Sequence, residues 1–331
     1  TYNKKIKYIT VDIFLVLYLL LCNTTSLLRC TVMNILLSIN YLLKLNIKKI
    51  DIVLLTLILC IIINPFIIYD IGFIYSYTIS FFLILYKNKY KTNNKLLKII
   101  YISLISFLVS LPINIYTSYE INFLSIILNI IIVPIVSLIL LPLSLLTLIF
   151  PILDNILYLI TSILEKISLY TSNINIFKLI LSKPNIILII IYYLVIILII
   201  SKKKHYYLIL ILLIFHKTIP LCNSNLEVVM FDVGEADSML ISTPSKRVNI
   251  LIDTGREIDI NNIIIYLKSI GISKLNYLII THGDEDHIGG ALYLIDNFKV
   301  DNVILNKGDY TELEVELITH LKNKNIKYTN N

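Results

Sequence analysis

Thr281-His282-Gly283-Asp284-Glu285-Asp286-His287-Ile288-Gly289-Gly290 follows directly on the apolar run Tyr277-Leu278-Ile279-Ile280. That run is short and rich in branched apolar side chains, as a buried strand is. Beyond it, His282, Asp284, Asp286 and His287 fall within six positions. A strand that stops in such a turn aims imidazole nitrogens and carboxylate oxygens at one point, and these are the donors a divalent metal takes. A solvated acidic loop is the plainer reading. Four ligand-type residues at this spacing, closed by Gly-Gly, favour a metal site.

The residues around the turn continue the pattern. Leu226–Val233 reads as a strand ending at Gly234, Ser238–Ser242 and Val248–Ile252 as two more, with Thr243-Pro244-Ser245 as the turn between them. Ile260, Ile263, Ile264 and Leu267 keep helical spacing up to Gly271. Leu275–Ile280 leads into the His/Asp turn, followed by a helix over Ala291–Phe298, a strand over Val303–Leu305 and a helix over Glu312–Leu321. Strands first, then alternating strand and helix, predict a layered α/β domain.

Ahead of Leu226 the chain is of another kind. Of all 331 residues, 57% are hydrophobic and 15% charged, against about 25% charged in ordinary soluble proteins. Nine apolar segments approach the ~17–25 residues of a membrane span: 6–22, 27–43, 50–68, 71–86, 97–117, 122–150, 154–171, 185–200 and 205–221. Segment 154–171 carries Glu165 and Lys166, so lying along the interface is an alternative to crossing. Lysines cluster at 4, 5 and 7, at 44, 48 and 49, at 87, 89, 91, 95 and 98, and at 202–204. All these loops share one side if every segment crosses, and the positive-inside rule makes that side cytoplasmic. Residues from 222 onward are then outside. The turn near Pro151–Asn155 should be inside yet carries Asp154 and no lysine; a re-entrant 122–150 with a flat 154–171 preserves the final orientation.

Charge divides along the same line. Residues 1–225 hold 19 Lys+Arg against 6 Asp+Glu, net +13, and residues 226–331 hold 10 against 16, net −6. The acidic tail repels nucleic acid in bulk, so a role on nucleic acid needs a metal or a local basic patch. Cys22, Cys30 and Cys60 lie in apolar stretches and read as small buried hydrophobes; with Cys222 they form no CxxC pair, and neither a zinc knuckle nor a disulfide framework is expected. Segment 122–150 contains Asn129, Pro134, Pro142 and Pro151. It is read either as a broken helix lining a path or as a tilted helix with packing kinks. Arg29, Asp12 and Glu120 are further polar groups at or near membrane depth, and Arg29 alone could snorkel.

His282-x-Asp284-x-Asp286-His287 with Gly289-Gly290 resembles the HxHxDH signature of metallo-β-lactamase-fold hydrolases, with Asp284 where the second His usually stands. Joined to Asp232-Val233-Gly234 and Ile252-Asp253-Thr254-Gly255, it is similar to the tail of ComEC-family competence proteins. Arg29-Cys30-Thr31-Val32-Met33 resembles that family's RAxxM stretch. Asp70-Ile71-Gly72-Phe73 with Ser76 resembles its Gly-Phe helix, and Asn129 and Pro134 its NLLxxP-like helix. The resemblance covers essentially the whole chain. It implies a polytopic α-helical membrane domain over 1–221, followed by an incomplete α/β soluble domain of metallo-β-lactamase-like, αββα type over 222–331.

The resemblance also implies roles. His282, Asp284, Asp286 and His287 would be metal ligands, Asp284 alternatively standing behind them, and Asp286 would also be the catalytic carboxylate. Asp232, Asp237 and Asp253 would support the site, and Arg29, Asn129 and Pro134 would mark the membrane path. The cofactor would be a divalent metal, Mn2+ or Zn2+, with Mg2+ also admissible because an oxygen donor replaces a nitrogen. The implied function is uptake of single-stranded DNA during natural transformation, with an extracellular nuclease-like domain degrading the other strand, so that single-stranded and double-stranded DNA would both be partners. Other DNA-uptake proteins and the lipid bilayer would be partners, and the plasma membrane the location. Alternatives are the same channel with an inactive outer domain, or a membrane-anchored hydrolase of small phosphoesters. The family's DVGQGD-like stretch here has Ala236 in place of Gly, which limits close backbone approach. The chain starts at Thr1 and ends 44 residues after His287. It is therefore expected to be a fragment, with the family's leading extracellular module and its downstream metal ligands outside it.

Overall fold

A computed structural model describes residues 2–22, 24–86, 94–147, 149–172, 174, 177–202 and 205–330. The topogenic lysines at 87, 89, 91, 203 and 204 lie outside the described residues. Two compact units emerge: residues 1–113 with 196–205, and residues 114–195 with 206–331. The later apolar helices thus cluster by contact with the α/β region.

In the first unit, α1 (Tyr2–Leu21), α2 (Thr25–Leu42), α3 (Lys49–Ile63) and α4 (Ile71–Leu85) match the first four apolar segments. α3 stops at Asn64-Pro65, where a proline cannot extend it, and a short 3-10 turn leads to Asp70. Asp70 caps α4, its Oδ1 accepting from the Phe73 N–H at 2.9 Å and its Oδ2 from the Thr25 hydroxyl at 2.8 Å. The Asp70-Ile71-Gly72-Phe73 motif is therefore a cap that also ties the start of α2 to α4. Val53, Cys60, Ile67, Phe73 and Tyr77 form the buried core. The Arg29 guanidinium lies 5.7 Å from the Tyr77 ring centre, a cation–π contact.

α5 (Lys95–Ser118) and α9 (Ile186–Lys202) each run from one unit into the other. The second unit adds α6 (Leu124–Ile135), α7 (Leu141–Thr147), α8 (Asp154–Ser172) and α10 (Tyr207–Thr218). α6 and α7 form one continuous run joined by a π turn over Val136–Leu140. There the Leu141 N–H reaches back five residues to Val136, just before Pro142, which has no N–H to give. Residues 124–147 of segment 122–150 are thus a continuous helix with a local distortion. Asn129 is exposed on it and Pro134 half-buried. Two three-residue strands, β1 (Glu120–Asn122) and β2 (Lys178–Ile180), pair antiparallel with Ile121 opposite Leu179.

Among the described residues, two helices are long and apolar enough to cross a membrane by length and composition, 97–118 and 124–147. Nine apolar segments were expected as candidates, with 154–171 alternatively lying along the interface. The difference lies in length and charge: α3, α4, α9 and α10 have only 12–17 residues, and α1 and α8 carry charges inside their runs. The helical surface is nevertheless apolar, with Leu21, Phe66 and Ile152 at least 77% exposed. Cys60 is buried as expected, but Cys22 and Cys30 are exposed. A helix apolar on all sides gives no sequence signal for which face is covered.

The α/β region forms one six-stranded sheet in the order β3 (Glu227–Met230), β4 (Met239–Ser242), β5 (Asn249–Ile252), β6 (Leu275–Ile279), β7 (Val300–Leu305), β8 (Lys327–Asn330). β4 pairs antiparallel with β3 on one side and β5 on the other, and β5 to β8 run parallel. The helices are α11 (Glu257–Ser269), the four-residue α12 (Glu285–Ile288), α13 (Ala291–Asn297) and α14 (Glu312–Asn323). Leu240, Leu251, Leu278 and Val303 are completely buried on one face of the sheet, with Ile260, Leu267, Leu294, Leu317 and Leu321 from the helices. Each fully buried Leu or Ile contributes about 1.5–3 kcal/mol, so this face holds the domain together. Strand alternation turns Ile241, Ile250, Ile252, Ile279 and Ile304 to the other face, where they are only half covered.

Candidate metal centre

β5 and β6 are parallel neighbours, so their C-terminal ends lie side by side. Asp253 leaves the first, and Thr281 follows the second. Asp253 adopts a left-handed backbone (φ 56°), which Asp tolerates better than most residues. Its N–H donates to Ile279 O at 2.8 Å, and its buried carboxylate turns into the neighbouring loop. There Oδ1 accepts from the Thr281 N–H at 2.8 Å. Oδ2 lies 2.7 Å from the Thr281 hydroxyl and 2.9 Å from His287 Nδ1.

Counting hydrogens assigns the tautomers. A carboxylate only accepts, so His287 Nδ1 carries a hydrogen and Thr281 gives its single hydroxyl hydrogen to Asp253. Thr281 Oγ1 is also 3.0 Å from His282 Nδ1. With its hydrogen already committed, it accepts there, and His282 Nδ1 is the donor. In their neutral forms both imidazoles therefore keep Nε2 as the free lone pair, the arrangement by which a carboxylate orients a metal-ligating histidine.

The two rings lie with centres 3.6 Å apart. His287 Nε2 is 3.5 Å from Asp286 Oδ2 and 3.9 Å from Asp237 Oδ2. His282 Nε2 is 3.6 Å from Asp284 Oδ2. One donor atom each from His282, Asp286 and His287 lies within 4.8 Å of the others. Two nitrogens and a carboxylate oxygen so disposed fit a divalent cation, reached by small side-chain rotations. Burial alone pushes the His287 pKa down. The hydrogen bond and charge of Asp253 and the charges of Asp286 and Asp237 outweigh it, and the pKa stands above its ordinary value.

The backbone fixes this cluster. The Thr254 N–H and hydroxyl both donate to His287 O, at 2.8 and 3.0 Å. The Asp237 N–H donates to Asp286 O at 3.3 Å, and Gly255 N–H to Asp237 O at 3.1 Å. A Cβ on Gly290 would lie 2.7 Å from Ile260 Cβ, so the second glycine of the Gly-Gly pair lets the turn pass against α11. Asp237 and Asp253 thus reach the cluster. Asp284 is exposed and faces only His282, and Asp232 is exposed and outside the group. Ala236 packs against the domain core. Arg29 belongs to one compact unit and Asn129 and Pro134 to the other.

Sequence reasoning missed Thr281, Thr311 and Glu314. Glu314 is completely buried behind the turn. Its Oε2 accepts from the Thr311 N–H at 2.8 Å, while the Thr311 hydroxyl donates to Gly283 O at 3.1 Å. This is a capping box at the start of α14, and Thr-x-x-Glu before an amphipathic run is its readable signature. His320, a surface residue, meets Asp296 at 2.8 Å and takes no part in the site.

Residues 232–324 match the metallo-beta-lactamase superfamily, and residues 2–205 match the family described as competence protein. Among curated proteins the chain is similar to ComE operon protein 3 of Bacillus subtilis (strain 168), with 27% identity over 343 aligned positions. That alignment covers 92% of this chain and 44% of the relative, so the chain spans less than half the relative's length. With the match over 2–205 extending across more than half of its residues, the chain belongs to the competence protein family.

Proposed function

We propose that this chain forms part of a membrane channel through which single-stranded DNA enters the cell during natural transformation, and that its α/β domain is an extracellular metal-dependent phosphodiesterase. The observation that carries the hydrolytic half is the pair of histidines held at Nδ1 by Asp253 and Thr281, with His287 Nε2 3.5 Å from Asp286 and one donor atom each of His282, Asp286 and His287 within 4.8 Å of the others. His282, Asp286 and His287 would hold the cation, with Asp284 and Asp237 within reach as further oxygen donors. A bound Mn2+ or Zn2+ would polarise a phosphoryl oxygen and ease deprotonation of water. Asp253 orients His287 directly and His282 through Thr281. Asp286, as the most exposed of the three clustered groups, is placed to take a proton at its free carboxylate oxygen. The half-covered apolar sheet face is the surface on which a second sheet of an αββα fold would pack.

The orientation is supported by which loops meet. The lysine pattern puts residues 118–122, 172–184 and 222 onward on the side opposite the lysines. Those same stretches join within the second unit. Glu120 pairs with Lys268 at 2.8 Å, Lys183 N–H donates to Ser269 O at 2.7 Å, and His216 meets Ser182 O at 3.0 Å. A competence-type membrane domain over 1–221, carrying the hydrolase domain from 222 outside, is the reading consistent with these contacts. The test is twofold. A deletion strain should fail to take up labelled DNA, and normal uptake would sink the channel. Protein with His282→Ala or Asp286→Ala should lose Mn2+-dependent nuclease activity, and unchanged activity in both would sink the site.

A further inference from the structure

At the other end of the sheet from the metal turn, the second unit holds a cavity of about 290 Å³ lined by Lys178, Lys217, Lys268 and Lys299, with one carboxylate, Glu120. It opens at the N-terminal edge of the parallel strands: Lys299 immediately precedes β7, and Lys268 is in the last turn of α11. β6 is five residues long, which puts the two edges about 15 Å apart. The cavity is therefore no part of the hydrolytic site. Lys268 is paired with Glu120, and Lys217 donates to Ile180 O at 3.0 Å. Neither Lys178 nor Lys299 has an ion-pair partner among the described residues. The second unit, which holds 14 Lys+Arg against 19 Asp+Glu, thus gathers a surplus of cations in one concave place.

What surrounds the cavity indicates its ligand. Lys217 is in the last turn of α10, directly beyond the exposed Ile214 and Phe215. Lys178 precedes α9, whose first turns expose Ile186, Ile187 and Ile190. His216 of α10 meets Ser182, just before α9, at 3.0 Å, so the two helix ends and the lysines share one level. Apolar helix surface that gives way to lysines at a single level is what the boundary between acyl chains and headgroups selects. We infer that this cavity binds the phosphate of an anionic phospholipid headgroup and so seats the α/β domain on the bilayer surface. The inference rests on the membrane reading above.

The test uses the whole chain in mixed phosphatidylcholine–phosphatidylglycerol vesicles, with lipid retained after mild detergent extraction measured by mass spectrometry. Phosphatidylglycerol should be enriched over its share in the vesicle. Lys178→Gln and Lys299→Gln break no internal pair and should each lower that enrichment about five-fold, while the charge-matched Lys307→Gln and Lys322→Gln should leave it unchanged. Equal loss in both sets, or no enrichment, overturns the inference. Displacement of the lipid by inorganic phosphate would assign the site to a free anion, and displacement by a single-stranded oligonucleotide to nucleic acid; either overturns it. A chain absent from the vesicle fraction altogether would overturn the membrane reading as well, whereas a membrane-bound chain without lipid preference overturns this inference alone.

Discussion

Asp253 is the residue on which the proposed metal centre turns, although it is not among the clustered donors. It accepts three hydrogen bonds, and two of them decide which nitrogen each histidine presents. Asparagine in its place keeps the shape but brings N–H groups where acceptors are needed. We expect Asp253→Asn to fold and to bind Mn2+ or Zn2+ about 10–100-fold more weakly, read by metal titration; wild-type affinity would remove Asp253 from this role. The raised pKa of His287 adds a pH signature. Its folded value lies above the unfolded one, so the charged pair with Asp253 stabilises the metal-free chain fully below about pH 6.5 and is lost as pH rises through the raised value. Metal binding has the opposite slope, because Nε2 must be free of its proton, and weakens as pH falls through the same value. Unfolding of metal-free and metal-loaded protein, followed from about pH 5 to about pH 9, should show these opposed trends, and parallel curves would contradict them. The His/Asp spacing made the cluster of His282, Asp286 and His287 legible in the sequence. Thr281 was not legible, because its role depends on an aspartate 28 residues away that only the sheet brings near.

Among the elements, α14 supports the metal turn from behind. Thr311 caps that helix and also donates to Gly283 O, between His282 and Asp284. Thr311→Ala should cost about 1 kcal/mol through the lost cap and also weaken metal binding. Thr311→Ser keeps the hydroxyl and should restore both. A cap with no link to the turn would lower the unfolding midpoint and leave the metal titration unchanged. Asp296 on α13 pairs with His320 and Lys324 across α14 and its end. Burial alone raises its pKa, but Lys324 and His320 more than offset this and hold it low. Its folded value is depressed, so this contribution is present above the unfolded carboxylate pKa and lost as pH falls through the folded one. Because the group is half exposed, Asp296→Asn should cost no more than about 1 kcal/mol near neutral pH and nothing in strong acid, as denaturant unfolding at the two pH values would show. In the α/β region, α11, α13, α14 and β3 to β7 were legible from their pattern, while α12 read as part of the turn. β8 was not, since Lys327-Tyr328-Thr329-Asn330 carries the weak, polar pattern of an edge strand, and β1 and β2 are too short to separate from loops.

At the scale of the whole molecule, the proposed topology makes a specific demand on the second unit. α6 and α7 run 24 residues without a break from 124 to 147, about 36 Å of helix. α8 returns over 19 residues, about 28 Å, and β2 then pairs with β1 beside the point of departure. By length and composition 124–147 qualifies as a span and the charged α8 does not; on the proposed reading the two would be an outward and a return run across a hydrocarbon layer of about 30 Å. On that proposed reading the return beside Asp154, where the charge pattern lacks a lysine, would be fixed by the β1–β2 pairing and not by flanking charge. The consequence can be checked by single-cysteine labelling in intact cells, with Cys22, Cys30, Cys60 and Cys222 replaced. Ser118→Cys and Asn225→Cys, both exposed positions, should react with a membrane-impermeant thiol reagent. Asn155→Cys, exposed at the far end of the helical hairpin, should react only after the membrane is opened. Labelling of all three in intact cells would show that 124–172 does not cross and return. Labelling of Asn155→Cys alone would invert the orientation and place the metal turn inside the cell, where it could not act on DNA arriving from outside.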